Sequence, residues 1–278
     1  MIYTVDGLAA YAYTGGKAFD RVQPTIAFIH GAQNDHSVWA LQSRWFAHHG
    51  FNVLAVDLPG HGRSTGPALA SVEAMAAWLL QVLDAAGAAT ALLAGHSMGS
   101  LIALEAASQA PARVTALAML GTTYPMKVSD ALLGMAKDDE GAAIDMVNMF
   151  SHARAHALQP QNPMAPLAGV STMGVARRLM QRLSSINPAQ LFYTDFNACN
   201  SYAHGEQAAQ GLTCPVLFVF GARDMMTPTR STKLLRAAAP GAKTVLVDAG
   251  HALMAEQPDA VLDALREFAD TVRTSTRS

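Results

Sequence analysis

Ser97 is the residue whose surroundings in the sequence most favour covalent chemistry. It lies in Gly95-His96-Ser97-Met98-Gly99, where an apolar run at 90–94 gives way to a helical pattern at 101–107. In such a strand-turn-helix the serine adopts a strained backbone conformation that exposes its hydroxyl, and the flanking glycines remove collisions. A serine hydroxyl is a weak nucleophile until a base takes its proton, and that base is usually a histidine oriented by a carboxylate. The pentapeptide therefore predicts a nucleophile that needs two partners.

Two loops further along the chain supply those partners. Asp224 follows the buried-strand run at 215–220, and His251 follows the strand run at 243–247. Loops at the carboxyl ends of parallel strands are where sites form in open α/β sheets. The order serine, acid, histidine is also the chain order that accompanies this strand-turn-helix motif.

The elements that position these residues alternate between strands and helices, which predicts a mostly parallel sheet covered on both faces. Asp6-Gly7 separates two short β-prone runs and predicts a hairpin at the edge of the sheet. Helices are predicted over residues 37–49, 72–86, 98–110, 230–239 and 258–272. The alternation stops between about residues 124 and 211, where helical stretches are separated by proline-containing segments and no convincing strand occurs.

The chain resembles the α/β-hydrolase superfamily over nearly its whole length. The matching motifs are His30-Gly31-Ala32, the run from Asp57 to Ser64 (DLPGHGRS), the elbow around Ser97, the GARD segment ending at Asp224, and GHALMAEQP at 250–258. The resemblance implies an α/β fold with an eight-stranded, mostly parallel sheet and helices on both faces. It also implies a core of residues 1–123 and 211–278, with residues 124–210 inserted as a helical cap over the site.

By this resemblance Ser97 is the nucleophile, Asp224 the orienting acid and His251 the general base. The backbone N–H groups of Ala32 and Met98 would form the oxyanion hole. Asp248 is a rival for the acid, since it lies three residues before His251, but Asp224 follows a strand of its own as the fold requires. At the other acid position that some family members use, Thr122-Thr123 offers no carboxylate.

Candidate substrate contacts come from the loop after Ala32 and from the cap. Half of the fourteen methionines fall in the cap, and flexible thioethers suit an adaptable apolar pocket. The candidates are Gln33, Trp39, Met126, Met146, Met149, Cys199 and Tyr202. Trp39 could equally anchor the first helix. Arg177 and Arg178 could grip a carboxylate, but adjacent helical residues point about 100° apart, so a solvated helix surface is the preferred interpretation.

The other histidines are interpreted as structural. His30 and His61 lie in family loops and are expected to brace them through hydrogen bonds, and His96 occupies the variable position of the elbow. His152 and His156 stand four residues apart, which is a metal-ligand spacing on a helix. No third ligand lies nearby, so we interpret them as a solvated helix face and expect neither a metal nor a cofactor.

Composition limits the function classes. Of 278 residues, 51% are hydrophobic and 14% charged, which is enough apolar material for a sizeable core. A net charge of −2 with scattered Lys and Arg provides no basic field, so no nucleic-acid partner is expected. Without an export segment or a spanning apolar run, we expect a soluble cytoplasmic protein with no membrane partner and with Cys199 and Cys214 reduced. The sequence leaves open whether the protein forms a homodimer.

These observations predict a cofactor-independent serine hydrolase acting on a small-molecule substrate. The expected substrate is a carboxylic ester, thioester or lactone of a small to medium apolar acid. Carbon–carbon bond hydrolysis and perhydrolysis stay open because they use the same triad. A non-catalytic small-ligand receptor also stays open, although such a receptor has no need of an intact triad with its oxyanion loop.

Overall fold

An eight-stranded sheet forms the centre of the molecule. The computed structural model describes residues 1–153, 171–187 and 190–275 of the chain. The strands are β1 (Ile2–Val5), β2 (Leu8–Tyr13), β3 (Thr25–Ile29), β4 (Asn52–Val56), β5 (Ala91–His96), β6 (Val114–Leu120), β7 (Val216–Gly221) and β8 (Lys243–Val247). Their order across the sheet is β1-β2-β4-β3-β5-β6-β7-β8.

Strand direction determines where the chemistry can lie. β1 and β2 pair antiparallel, as do β2 and β4, whereas every other neighbouring pair is parallel. The carboxyl ends of β3, β4, β5, β6, β7 and β8 therefore meet at one edge of the sheet. Every residue of β3, β4, β5 and β7 is buried, as expected for central parallel strands covered on both faces.

Eleven helices lie in the described part of the chain. They are α1 (Ala40–His48), α2 (Val72–Ala86), α3 (Met98–Gln109), α4 (Asp130–Asp138), α5 (Glu140–Ser151), α6 (Thr172–Ile186), α7 (Leu191–Ser201), α8 (Gly205–Gln210), α9 (Lys233–Ala238), α10 (Leu253–Glu256) and α11 (Pro258–Ser275). Buried residues of α2 and α3 share one apolar core with Ala27 and Ile29, and those of α1 and α11 share a second core with Ile26 and Phe28. The alternation along β3 shows that the two cores lie on opposite faces of the sheet.

The segment that was predicted to form a cap connects β6 to β7. In its described part it contains α4 to α8. α4 packs on α5 and α7, α5 packs on α6, and α7 also contacts α3 beneath it, whereas α8 packs against α3 and α9. The cap helices thus pack on one another and reach the core chiefly through α7 and α8.

The predicted fold class and edge hairpin are confirmed. α2 has the predicted bounds because Ser71 caps its first turn, accepting a hydrogen bond from the Ala74 N–H (3.2 Å), and Gly87 ends it with φ of 74°. Two predicted helices begin later than expected because each opens with a 3-10 turn, at His36–Trp39 and at Thr229–Thr232. Among the described helices, none combines the length and apolar character needed to cross a membrane.

Candidate active site

Ser97 lies at the turn between β5 and α3 in a backbone conformation that few residues adopt. Its φ of 52° and ψ of −120° are unusual for a residue with a side chain. The turn requires glycine on both sides, because a Cβ at Gly95 would collide with the Gly99 carbonyl and a Cβ at Gly99 would collide with the Ile29 carbonyl. The sharp turn places Ser97 in the wall of a cavity at the carboxyl edge of the sheet.

Asp224 and His251 meet beside this cavity although they are 27 residues apart. The Nδ1 atom of His251 lies 2.8 Å from Oδ2 of Asp224, and both side chains are buried. Asp224 also accepts hydrogen bonds from the backbone N–H groups of Met226 and Thr227 (2.8 Å each) and from the Thr227 hydroxyl (2.7 Å). Burial opposes ionisation of Asp224, but the His251 charge and these hydrogen bonds outweigh it and lower the pKa of Asp224 below its ordinary value.

The rival acid faces solvent. Asp248 is 61% exposed and pairs with Arg223, whose Nε lies 2.8 Å from a carboxylate oxygen of Asp248. Asp224 is the carboxylate that contacts the His251 ring. At the alternative acid position, Thr122 accepts a hydrogen bond from the Ser100 hydroxyl at 2.7 Å.

The loop that carries His251 is braced against the cap. The Gly250 N–H donates to the buried carboxylate of Glu256 (3.1 Å), which also accepts from the Ala153 N–H (3.1 Å). The backbone N–H of Ala252, which follows His251, donates to the Ser151 carbonyl (2.9 Å).

Sequence reasoning missed both Glu256 and Thr227. Thr227 follows Asp224 by three residues, which is a recognisable turn spacing. Glu256 lies within the matching motif at 250–258, but no role was assigned to it.

The loop after β3 is held to the cap by a buried carboxylate. Asp195 of α7 accepts the backbone N–H of Gln33 (2.7 Å) and lies 2.9 Å from Nε2 of His61. Ala32, immediately before Gln33, lines the cavity. Met98 opens α3, so its N–H belongs to the positive end of that helix. These are the two amides that the resemblance assigns to an oxyanion hole.

The site contains two cavities that meet at the serine. One has a volume of about 360 Å³ and extends under α6, where Val175, Ala176 and Leu179 line it, and we call it the α6 lobe. The other has a volume of about 280 Å³ and extends under α4, where Leu132 lines it, and we call it the α4 lobe. Ala32, Ser97, Val147, Phe196, Met226 and His251 border both lobes.

Comparison with known proteins places this fold and motif set in a family. A family model described as the alpha/beta hydrolase fold matches residues 24–258. The chain belongs to this family. It is 30% identical over 260 residues to the dihydrolipoyllysine-residue acetyltransferase component of an acetoin cleaving system from Cupriavidus necator, covering 89% of this chain and 63% of that relative.

Two other similarities span nearly the whole length of both proteins compared. The chain is 25% identical over 254 residues to an (E)-2-((N-methylformamido)methylene)succinate hydrolase of Acinetobacter baylyi, covering 88% of this chain and 90% of that protein. It superposes with a TM-score of 0.81 on a structure described as Est816, an N-acyl homoserine lactone degrading enzyme, at 23% identity and with 96% and 100% of the two chains covered. The structural likeness supports the fold.

Three of the seven candidate substrate contacts line the cavity of this alpha/beta hydrolase. Met126, Met146 and Cys199 all border the α4 lobe. Burial raises the pKa of the Cys199 thiol, so it contributes apolar surface and not a thiolate. Met225 also borders this lobe although it lies outside the cap segment, in the loop after Asp224.

The other four candidates do not line either lobe, and each for a different reason. Trp39 is fully buried and packs on Phe28 with ring centroids 5.1 Å apart, so it anchors the first helix. The Gln33 side chain turns into the cap and donates to the Met180 carbonyl (3.1 Å). The Tyr202 hydroxyl donates to the buried Glu105 (2.7 Å). The Met149 side chain is 61% exposed on the surface of α5.

His152 is not on a solvated helix face, which corrects the prediction. It follows the last residue of α5, is buried, and lines the α6 lobe. His156 lies outside the described residues, as does Met164 of the methionine set. Arg177 is at the surface as expected and pairs with Asp145, with Nε 2.5 Å from a carboxylate oxygen.

His30 and His96 are buried and hydrogen-bonded to the loops around the site. His30 Nδ1 donates to the Gly31 carbonyl (2.8 Å), and its Nε2 accepts from the Leu58 N–H (3.1 Å). His96 Nε2 donates to the main-chain oxygen of His251 (2.9 Å). Burial lowers the pKa of His30 to about 4 and that of His96 to about 3, so both rings are neutral at physiological pH.

Within the described part of the chain, one group of side chains has the spacing of metal ligands. Donor atoms of Asp35, His36 and Asp57 lie within 4.8 Å of one another. Hydrogen bonds already use the Asp57 carboxylate, which accepts from the His36 backbone N–H (2.8 Å) and ring Nδ1 (2.7 Å) and from the Arg63 N–H (2.8 Å). These bonds tie the loops after β3 and β4 together.

Proposed function

We propose that the protein is a cofactor-independent serine hydrolase that cleaves a carboxylic ester, thioester or lactone through an acyl-enzyme. One observation carries this proposal. Ser97, at a strained elbow, borders the same two lobes as His251, whose Nδ1 is held at 2.8 Å by the buried Asp224. A family membership alone would not decide the chemistry, because one fold hosts many activities.

Acylation follows from the ring orientation of His251. Because Asp224 accepts the Nδ1–H, the neutral ring keeps its lone pair on Nε2 and can take the Ser97 proton. Ser97 Oγ then bonds to the substrate carbonyl carbon, and the carbonyl oxygen becomes an oxyanion bound by the Ala32 and Met98 N–H groups. His251 returns the proton to the leaving oxygen or sulfur as its bond to the carbonyl carbon breaks.

Deacylation repeats these steps with water. His251 takes a proton from water while the water oxygen bonds to the acyl carbon, and the same amides bind the second oxyanion. The bond to Ser97 Oγ then breaks, His251 gives its proton back to Ser97, and the acid leaves. Asp224 keeps the ring in one tautomer throughout.

The two lobes provide separate places for the acyl chain and the leaving group of the substrate. Met126, Leu132, Met146 and Cys199 give the α4 lobe an apolar wall. We assign the acyl chain to the α4 lobe and the leaving group to the α6 lobe. The Acinetobacter baylyi relative bears the name of a hydrolase, which supports hydrolysis as the reaction class.

Covalent labelling tests the proposal directly. A fluorophosphonate should label the purified protein once, with the modified peptide containing Ser97 by mass spectrometry. Ser97→Ala should abolish both labelling and ester turnover, whereas Ser151→Ala, a serine that lines the same cavity, should keep both. Labelling that persists in Ser97→Ala would refute the assignment. A folded wild-type protein that takes no label and turns over no ester would favour the ligand receptor.

A further inference from the structure

Three side chains that line the α6 lobe each carry a buried polar atom that has no partner within the described part of the protein. These atoms are His96 Nδ1, Asn148 Oδ1 and His152 Nε2, and each belongs to a side chain that is more than nine-tenths buried. All three residues line the lobe. A buried polar atom without a partner is costly, so each of these atoms calls for a ligand group.

The hydrogen bonds around His152 determine what kind of atom it presents. Its Nδ1 lies 2.9 Å from the main-chain oxygen of Asn148, which can only accept, so Nδ1 carries the proton. Burial lowers the pKa of His152, which keeps the ring neutral. Nε2 of the neutral ring is therefore a hydrogen-bond acceptor.

Asn148 presents an acceptor for the same reason. Its Nδ2 donates to the Ile144 carbonyl (2.9 Å) and contacts the Met180 sulfur (3.4 Å), which uses both of its protons. This orientation leaves Oδ1 as an acceptor without a partner. His96 gives its Nε2 proton to His251, so its Nδ1 is a third acceptor.

No lysine or arginine is among the described residues that line this lobe. Asn34 Nδ2 donates one hydrogen bond to the Ala32 carbonyl (2.9 Å), and Gln42 Nε2 donates one to the Pro258 carbonyl (3.1 Å). A carboxylate or phosphate would thus face the three acceptors without a countercharge from these described residues. An ammonium group would lose its hydration, because no carboxylate is among the described residues of the lining.

From this arrangement we propose that the α6 lobe recognises an uncharged hydrogen-bond donor on the substrate, a hydroxyl or an amide N–H, through Asn148 Oδ1 and His152 Nε2. His96 Nδ1 offers a third acceptor next to the serine. This inference rests on the proposed hydrolase and specifies its substrate: an ester whose leaving group carries such a donor. Leaving groups that are apolar throughout leave these acceptors unpaired.

Matched ester pairs test the inference. One series consists of butanoate esters of diols with three to six carbons, each compared with the alkyl ester in which methyl replaces the terminal hydroxyl. A second series places the same exchange at the end of the acid. The wild type should prefer a hydroxyl member by about tenfold in kcat/KM, because its methyl partner strands buried acceptors.

Variants connect this preference to the two residues. Asn148→Leu and His152→Phe keep the approximate shape and remove the acceptors, so the preference should fall to about one or reverse. Leu179→Ala, an apolar residue of the same lobe, is the matched control and should affect both members of a pair alike. A wild type that favours methyl in both series, or a preference that both folded variants retain, would overturn the inference.

Binding without turnover separates this inference from the proposed function. In Ser97→Ala, calorimetry on the same ester pairs should show the same preference as a ratio of Kd values. If Ser97→Ala still hydrolyses esters, the proposed nucleophile is wrong, yet a Kd preference that depends on Asn148 would still support the lobe. Equal Kd values within every pair would refute donor recognition whatever the nucleophile is.

Discussion

Ser97, Asp224 and His251 are each held by a different kind of contact. Backbone strain at a glycine-flanked turn positions Ser97, backbone and hydroxyl donors fix Asp224, and contacts between the following loop and the cap support His251. Because the main-chain supports of the three residues are independent, a substitution at one residue should leave the main chain at the other two in place. That independence makes single-residue tests informative.

Asp224→Asn should lower kcat by about four orders of magnitude with little loss of folding. An amide at this position can accept or donate, so it can hold the His251 ring in the tautomer that cannot take a proton from Ser97. Asp248→Asn is the matched control, because Asp248 is exposed and pairs with Arg223, and it should keep most activity. Steady-state kinetics on one ester with both purified variants measures the difference. Equal losses would mean that the geometry misidentifies the acid.

At the level of elements, α7 is connected to the loops of the core through one carboxylate. Asp195 meets His61 from the loop after β4 and the Gln33 N–H from the loop after β3. Burial disfavours a charged His61, but the Asp195 charge and hydrogen bond outweigh burial and raise the pKa of His61. A buried ion pair therefore joins the cap to the loop after β4, and the same carboxylate holds the loop that carries Ala32 through the Gln33 N–H.

Breaking this pair should destabilise the protein in a pH-dependent way. Removing one partner leaves a buried charge, so Asp195→Asn should lower the free energy of unfolding by about 3 kcal/mol or more at pH 6. The double variant with His61→Gln and Asp195→Asn leaves no buried charge, so its loss should be smaller than that of Asp195→Asn alone. The raised pKa of His61 means that its contribution is fully present below its ordinary value of 6.5 and is lost as pH rises through the folded value. Urea unfolding at pH 6 and pH 9 measures both effects.

The control for this experiment is a surface pair. Arg177→Gln with Asp145→Asn removes an exposed ion pair between α6 and α5 and should leave the free energy of unfolding nearly unchanged at both pH values. A wild type whose advantage over the double variant at His61 and Asp195 is the same at pH 6 and pH 9 would contradict a charged His61.

Local sequence patterns predicted the helices and strands well, but they predicted poorly where individual side chains point. The bounds of α2 follow from its serine cap and its terminal glycine, both of which are visible in the sequence. Trp39 lies only seven residues after Ala32, yet its side chain packs into the core and not into the cavity. The direction of this side chain depends on the part of the core that α1 covers. His152 was misread for the same reason, since α5 ends at Ser151 and the turn there buries the ring.

At the level of the whole molecule, the sheet gathers residues that the sequence separates. Six parallel strands end at one edge, so Ala32, Ser97, Asp224 and His251 become neighbours through topology that the order of strands and helices predicts. The division of the cavity into two lobes was not predictable. It depends on how α4, α5 and α6 pack over that edge, and no spacing in residues 124–210 encodes such packing.

The α4 lobe leads to a prediction about acyl-chain length. Each buried methylene contributes up to about 0.8 kcal/mol, so esters with two or three more methylenes than acetyl should gain about tenfold in kcat/KM before the lobe of about 280 Å³ fills. Leu132→Ala enlarges this lobe and should move the optimum to longer acids, whereas Leu179→Ala in the α6 lobe should not. Kinetics on 4-nitrophenyl esters of two to twelve carbons measures the optimum. If activity peaks on acetyl, or if Leu179→Ala moves the acid optimum and Leu132→Ala does not, the acyl chain does not occupy the α4 lobe.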